Sequence, residues 1–270
     1  ERHARMLNYH DVFVRELRNR GYAPNTLKAY GASLDRFLKF KAETSFEPQE
    51  RISRFLDTYE YQESRRIAWS AIRLFYDFVL KMPCPYTMEK VRPRHRLPSF
   101  LEKPDVLNLL SKIKNPRHRL MISMLYGSGI RVGELVRLRI RDIDFPSLSM
   151  RIVNAKQNKD RITVFSESQA EALKAIVGGR DGSAYVFVTM NDKPYARRTV
   201  QAVFDKAVKA SAIQKHASCH TLRHSFATSL LGNGIDIRAI RDLLGHQSVK
   251  TTMIYLHVTD KTARKIRSPL

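Results

Sequence analysis

Cysteine is nearly absent from this chain of 270 residues: Cys84 and Cys219 are the only two. They stand in dissimilar contexts, which excludes a disulfide framework or a zinc-finger spacing and fits a reducing compartment. No run of ~18 apolar residues occurs, so no membrane-spanning helix is expected. No secretory leader pattern opens the chain, which begins at Glu1 rather than Met. A phosphate-cradling P-loop and a carboxylate cluster are also missing, as are internal repeats and low-complexity tracts. Acidic residues are the last scarcity, 26 against 48 Lys and Arg, for a net charge of +22 and a pI near 10.3. Such an excess concentrates polyanions at the surface, and nucleic-acid phosphates are the usual polyanion. At 43% hydrophobic the chain still has ample material for a core. A nucleic-acid-binding protein of a reducing, cytoplasmic compartment is the expectation.

The first 80 or so residues read as helical. Tyr9, Phe13 and Leu17 recur at i, i+4, i+8 up to Gly21. Pro24-Asn25-Thr26 opens a second helix carrying Leu27, Tyr30, Leu34, Phe37 and Leu38 on one stripe. A third helix runs near Ser64 to Leu80, with Ile67, Ala71, Leu74, Phe75 and Phe78 inward and Trp69 as packing. Four prolines and the cluster Arg92, Arg94, His95, Arg96 then break the pattern between Met82 and Pro98. Prolines at that density prevent a helix and like charges extend the chain. The division expected is a helical domain over 1–91, a basic linker over 92–98 and a second domain over 99–270. In the second domain, Pro104 to Ile113 and Arg117 to Tyr126 look helical, the latter ending at Gly127-Ser128-Gly129, and Gly133 to Leu138 continues as helix. Ser149 to Val153 and Arg161 to Phe165 read as strands around a polar, basic tip, Ala155 to Asp160, with a further short strand at Tyr185 to Val188. The remainder is helix punctuated by Gly232, Gly234 and Gly245. The fold class expected is therefore mainly α with a small β-hairpin or sheet, α+β.

Four local features bear on chemistry. Arg131 follows a glycine-rich turn and starts a helix, where backbone N–H groups favour an anion. His220 and Arg223, at i and i+3, share a helix face, and a guanidinium fork suits two phosphate oxygens; His224 is read as packing or support. His246 follows Gly245 at a helix end, where a histidine often only satisfies carbonyls. Tyr255 lies nine residues further on, and alone would be a core aromatic. Order and spacing raise these odds together.

The strings GSGIRVGELVRLR, AKQNKDR, HTLRHSFATSLL and LLGHQSVKTTMIYLHV, with Arg131, Lys156, His220, Arg223, His246 and Tyr255 in sequence, resemble the active-site signature of the tyrosine recombinase (phage-integrase-like) family, Xer-type members above all. GYAPNTLKAYGASLDRFLKF resembles that family's helical, SAM-like core-binding domain, so the likeness covers essentially the whole chain. It implies transfer of a DNA phosphodiester to Tyr255, giving a 3′-phosphotyrosyl link and a free 5′-hydroxyl, with no metal or other cofactor. By the same likeness, Arg131 and Arg223 neutralise the transition-state oxygens. His220 is general base, Lys156 protonates the leaving oxygen, and His246 donates to a non-bridging oxygen. Glu134, which cannot bind phosphate, orients Arg131 or a neighbour. DNA-binding candidates are Arg92, Arg94, Arg96, Lys159, Arg197 and Arg198, with the 25–40 helix. Four protomers on two duplexes are implied, monomer or dimer without DNA, their basic tails after Tyr255 docking on neighbours; a regulatory partner protein is left open. A type IB topoisomerase and a catalytically silent DNA-binding regulator remain as alternatives, and chromosome dimer resolution stands beside mobile-element integration or excision.

Overall fold

A computed structural model describes residues 2–40, 46–88, 99–153, 160–246 and 248–253. It falls into two compact units, Glu1–Arg94 and His95–Leu270.

The first unit holds helices α1 (Arg2–Asn19), α2 (Pro24–Lys39), α3 (Pro48–Asp57) and α4 (Gln62–Phe75), the last prolonged by a π-helical turn, Tyr76–Leu80. Prolines stand at the starts of α2 and α3, where a missing N–H removes no helical bond. The core joins Phe13 and Leu17 of α1, Leu34 and Phe37 of α2, Ile52, Phe55 and Leu56 of α3, and Ala68, Ala71, Ile72 and Phe75 of α4. Phe13 meets Phe75 edge-on, with ring centroids 6.1 Å apart, a favoured aromatic geometry. Helix α3 went unread, although Ile52, Phe55 and Leu56 make an i, i+3, i+4 stripe behind Pro48. Ile67, expected inward, is 41% exposed. Ala71, Leu74 and Phe75 are buried as expected, and Ala68 and Ile72 join them in place of Ile67, small residues facing α2 letting the two helices approach closely. Trp69 packs beside this core.

The second unit is built on α6 (Pro116–Ser128), where Leu120, Met121, Ile122, Met124 and Leu125 are all buried. A helix apolar around its circumference belongs in the middle. Around it lie α5 (Lys103–Ser111), α8 (Glu167–Val177), α9 (Arg197–Ala210) and α10 (Cys219–Gly232). The four-residue α7 (Val132–Leu135) follows the Gly129 turn. A three-stranded antiparallel sheet, β1 (Ile143–Asp144), β2 (Ser149–Ile152) and β3 (Arg161–Val164), pairs Met150 with Thr163 and Ile152 with Arg161. The chain then reaches α11 (Ile237–Leu244) and α12 (Val249–Met253). Here α8 and β1 had gone unread, and α6 runs on through Gly127 and Ser128 instead of stopping at Tyr126. Helix α7 is shorter than the run expected to Leu138. Tyr185 to Val188 forms only isolated bridges, Arg139 with Tyr185 and Val188 with Pro194, rather than a strand. The fold is mainly α with a small sheet. No helix among the described residues is long and apolar enough to cross a membrane.

Candidate phosphate-binding site

The turn after α6 begins the site. Gly129 has φ +63°, and a Cβ there would strike the Phe226 ring, so only glycine serves. Thr163 Oγ1 on β3 donates to the Ser128 carbonyl at 2.7 Å, and Arg223 donates to the Gly129 carbonyl. Both contacts hold the turn from which Arg131 leaves.

Arg131 caps α7 and its side chain is 43% exposed. Its main-chain N–H, expected to favour a bound anion, instead donates to Glu134 Oε2 at 2.7 Å, and its Nη1 donates to Glu134 Oε1 at 2.9 Å. Anion binding here thus falls to the guanidinium. The Glu134 side chain is only 10% exposed. Burial pushes its carboxyl up, but the hydrogen bonds and charge of Arg161, joined by the Arg131 N–H and charge, bring it down to about 2. Glu134 stays ionised and touches Arg131 directly.

Arg223 is buried, 1% exposed, on the inner side of α10. It donates from Nη1 to Gly129 O and from Nη2 to Leu244 O, stitching the turn before Arg131 to the end of α11. His220, one turn earlier on α10, is lowered from 6.5 by burial, then by the charges of Arg223 and Arg131. His224 meets His220 edge-on with ring centroids 4.6 Å apart. Burial, His220 and Arg223 hold His224 at about 4. His246 is also held at about 4, by burial first, then by Arg223, Arg131, His224 and His220. The His220–His224 ring contact and the Arg223 bonds to the carbonyls two residues before Arg131 and before His246 bring the segments carrying these five residues together, and burial with the neighbouring charges keeps the imidazoles neutral near pH 7.

Gly245 ends α11 with φ +65°, and the following His246 N–H donates back to the Arg241 carbonyl at 3.1 Å. This left-handed cap turns His246 out of the helix. Its Nδ1 lies 3.0 Å from Thr252 Oγ1 on α12, three residues before Tyr255 in sequence. Arg197, at the start of α9, lays its guanidinium along Gly133 of α7: a Cβ there would sit 3.0 Å from Arg197 Cζ. Arg198 is exposed beside it. Tyr255, Lys156, Lys159, Arg92, Arg94 and Arg96, with the linker and the tail, lie outside the described residues. Among those described, no group of three or more histidine, cysteine or acidic side chains could hold a metal ion.

Sequence reasoning missed Arg161 and Thr252. Arg161 closes the AKQNKDR string and pairs with Glu134. Thr252 belongs to the threonine pair before Met253. Nothing in a lone arginine or threonine signalled either contact.

The family model "Phage integrase family" matches residues 99–262, and "Phage integrase, N-terminal SAM-like domain" matches residues 11–82. Tyrosine recombinase XerC of Lacticaseibacillus casei is 30% identical over 271 residues, 89% of this chain and 90% of that protein. An integrase/recombinase of Escherichia coli is 35% identical over 251 residues, 77% and 74% of the two chains. Among solved structures, XerA recombinase is 29% identical over 97% of this chain and 100% of that one, with a TM-score of 0.58. XerH site-specific recombinase bound to palindromic difH substrate shares the fold at 18% identity, TM-score 0.73, over 91% and 80% of the chains.

Proposed function

The chain belongs to the phage integrase family and is a site-specific tyrosine recombinase, an enzyme that breaks and rejoins DNA; we propose that it does so through Tyr255. The observation that carries this reading is the cluster of Arg131, His220, Arg223 and His246, with His246 tied to Thr252 on the helix that precedes Tyr255.

The chemistry follows from charge. A tyrosyl oxygen attacking a phosphodiester builds negative charge on the non-bridging oxygens, and guanidiniums neutralise it without losing protons. Arg131 reaches the phosphate from the exposed rim. Arg223, buried beneath, supplies charge and holds the two segments on which Arg131 and His246 stand. Tyr255, with a reference pKa of ~10, must lose its proton as it attacks. Neutral His220 accepts that proton and His246 donates to a non-bridging oxygen. Lys156, at the hairpin tip with Lys159 beside it, protonates the departing 5′-oxygen. The covalent phosphotyrosine stores the bond energy until a second 5′-hydroxyl attacks.

The substrate is a pair of duplex recombination sites, held by four protomers acting in the cytoplasm on nucleoid DNA. Residues 1–91 serve as the core-binding domain and 99–270 as the catalytic domain. The linker arginines Arg92, Arg94 and Arg96 lie along phosphates, Arg197 and Arg198, with the 25–40 helix, read the DNA in the major groove, and the tail after Tyr255 docks on the neighbouring protomer. Resolution of chromosome dimers is the reading preferred over movement of a mobile element. Relatives named as recombinases and integrases do not favour a topoisomerase or a silent regulator.

The test is a nicked duplex, selected by the chain from a random-sequence pool, that lets the cleaved strand end diffuse away. A covalent adduct with the wild type and none with Tyr255→Phe is the expected result. Strand transfer to a second duplex distinguishes recombination from relaxation. Wild-type binding with no adduct overturns the reading.

A further inference from the structure

We infer that Arg161 is a positioning residue for the phosphate site: by pairing with both oxygens of Glu134 it leaves Arg131 its positive charge for the DNA phosphate. The inference deepens the reading above and rests on it for the identity of the reaction.

Arg161 begins β3 opposite Ile152, at the base of the hairpin whose tip carries Lys156 in sequence. Its Nη1 donates to Glu134 Oε1 at 3.0 Å and its Nη2 to Oε2 at 2.7 Å, while Nε donates to the Leu243 carbonyl at 2.9 Å. A planar fork with a third donor on its stem makes all three bonds at once, which a lysine cannot. The Arg161 side chain is only 8% exposed, too enclosed to serve as a surface DNA contact. Gly245 lies against it, where a Cβ would come within 2.6 Å of Arg161 Cδ.

The charge balance gives the role. Glu134 is enclosed and touches two guanidiniums, Arg131 and Arg161. With Arg161 present, one positive charge cancels the carboxylate and Arg131 remains a net cation. Without it, Glu134 and Arg131 form a self-neutralised pair that attracts phosphate weakly. The Leu243 bond places the same guanidinium beside the segment whose next carbonyl, Leu244 O, accepts from Arg223, and from which His246 emerges. One buried fork thereby ties the two sides of the phosphate site together.

The test compares the full wild-type chain with Arg161→Gln, Arg161→Lys and the double variant Glu134→Gln/Arg161→Gln, each checked for a cooperative melt. On the selected nicked duplex, Arg161→Gln is expected to bind DNA as the wild type does but to form the covalent adduct at least about tenfold more slowly. The double variant, which removes the uncompensated carboxylate, recovers most of that rate, and Arg161→Lys falls between. A merely structural role would make the double variant as slow as the single one or slower. That outcome, or wild-type cleavage by Arg161→Gln, overturns the inference. Should Arg161→Gln not fold, the double variant decides: cleavage within about tenfold of wild type supports the inference and slower cleavage overturns it. A second probe needs no cleavage. Inorganic phosphate, followed by the histidine ring proton signals, should bind Arg161→Gln about tenfold more weakly than wild type and recover in the double variant. Equal affinities in all three overturn the inference even if the wild type forms no adduct and the Tyr255 reading has failed.

Discussion

His246 and Thr252 join the proposed phosphate site to the helix that precedes Tyr255 in sequence, through a contact of 3.0 Å between Nδ1 and Oγ1. Thr252 is fully buried, and its hydroxyl has this ring nitrogen as partner. Because His246 is held at about 4, it is neutral near pH 7 and carries one ring proton. A Thr252 hydroxyl donating to Nδ1 leaves that proton on Nε2, where it can be given to a phosphate oxygen. Thr252→Val should slow covalent-adduct formation by about 5–10-fold, the value of one hydrogen bond. Thr252→Ser should keep the rate, and DNA affinity should be unchanged in both. Equal single-turnover rates for wild type and the Val variant would sink the idea.

Glu134 makes acid stability measurable. Its folded value of about 2 lies below the ordinary 4.5, so the unfolded chain binds the proton first and stability falls with pH. The contribution is complete above pH 4.5 and is lost as pH falls through about 2. For so enclosed a group it amounts to roughly 3 kcal/mol at neutral pH. Glu134→Gln should therefore be less stable than wild type at pH 7 and show a flatter decline between pH 4.5 and 2 by urea unfolding. Parallel curves for the two chains would refute this.

The parts legible in the sequence are those written in local pattern. The stripe Phe13, Leu17 and the stripe Leu34, Phe37 announced α1 and α2, and the run from Arg117 to Tyr126 announced most of α6 but not its central place. His220 and Arg223 declared a common face by spacing alone. Ile67 misled because a larger apolar residue outweighs Ala68 in a pattern count, whereas packing against α2 prefers the smaller one. Arg161 and Thr252 were illegible for a different reason. Their partners, Glu134 at 27 residues and His246 at six, are met across elements, and no periodicity links them. The main-chain carbonyls that receive Arg223 carry no side-chain signal at all.

Gly245 and Gly179 separate backbone strain from crowding. Both have positive φ, +65° and +68°, but a Cβ at Gly179 meets nothing within 4 Å. Gly179→Ala should therefore lose about 1 kcal/mol, the intrinsic cost of a left-handed alanine. At Gly245 the new methyl meets Arg161 Cδ at 2.6 Å, and that side chain is pinned by Glu134 and Leu243. The expected loss there is about 2–4 kcal/mol, with slower adduct formation because Arg161 and His246 shift together. Equal losses in urea unfolding would show that Arg161 yields freely.

With His220 as the proposed general base, the arginines around it set the acid limit of catalysis. Desolvation of its partly covered ring, then Arg223 and Arg131, lower its pKa from 6.5, since a cation is resisted beside other cations and where water is partly displaced. A general base must be neutral, so adduct formation should be level as pH falls through 6.5 and decline only below it. Stability moves the same way: the unfolded chain takes up protons below 6.5 that folded His220, His224 and His246 still refuse, so it falls with pH in this window. Arg131→Gln removes one of the depressing charges and should raise the His220 titration towards 6.5, read from its ring C2 proton. Arg198→Gln, an exposed change at the start of α9, should leave that titration in place. If Arg131→Gln left it in place too, the guanidinium would not face His220, and the two could not share one phosphate.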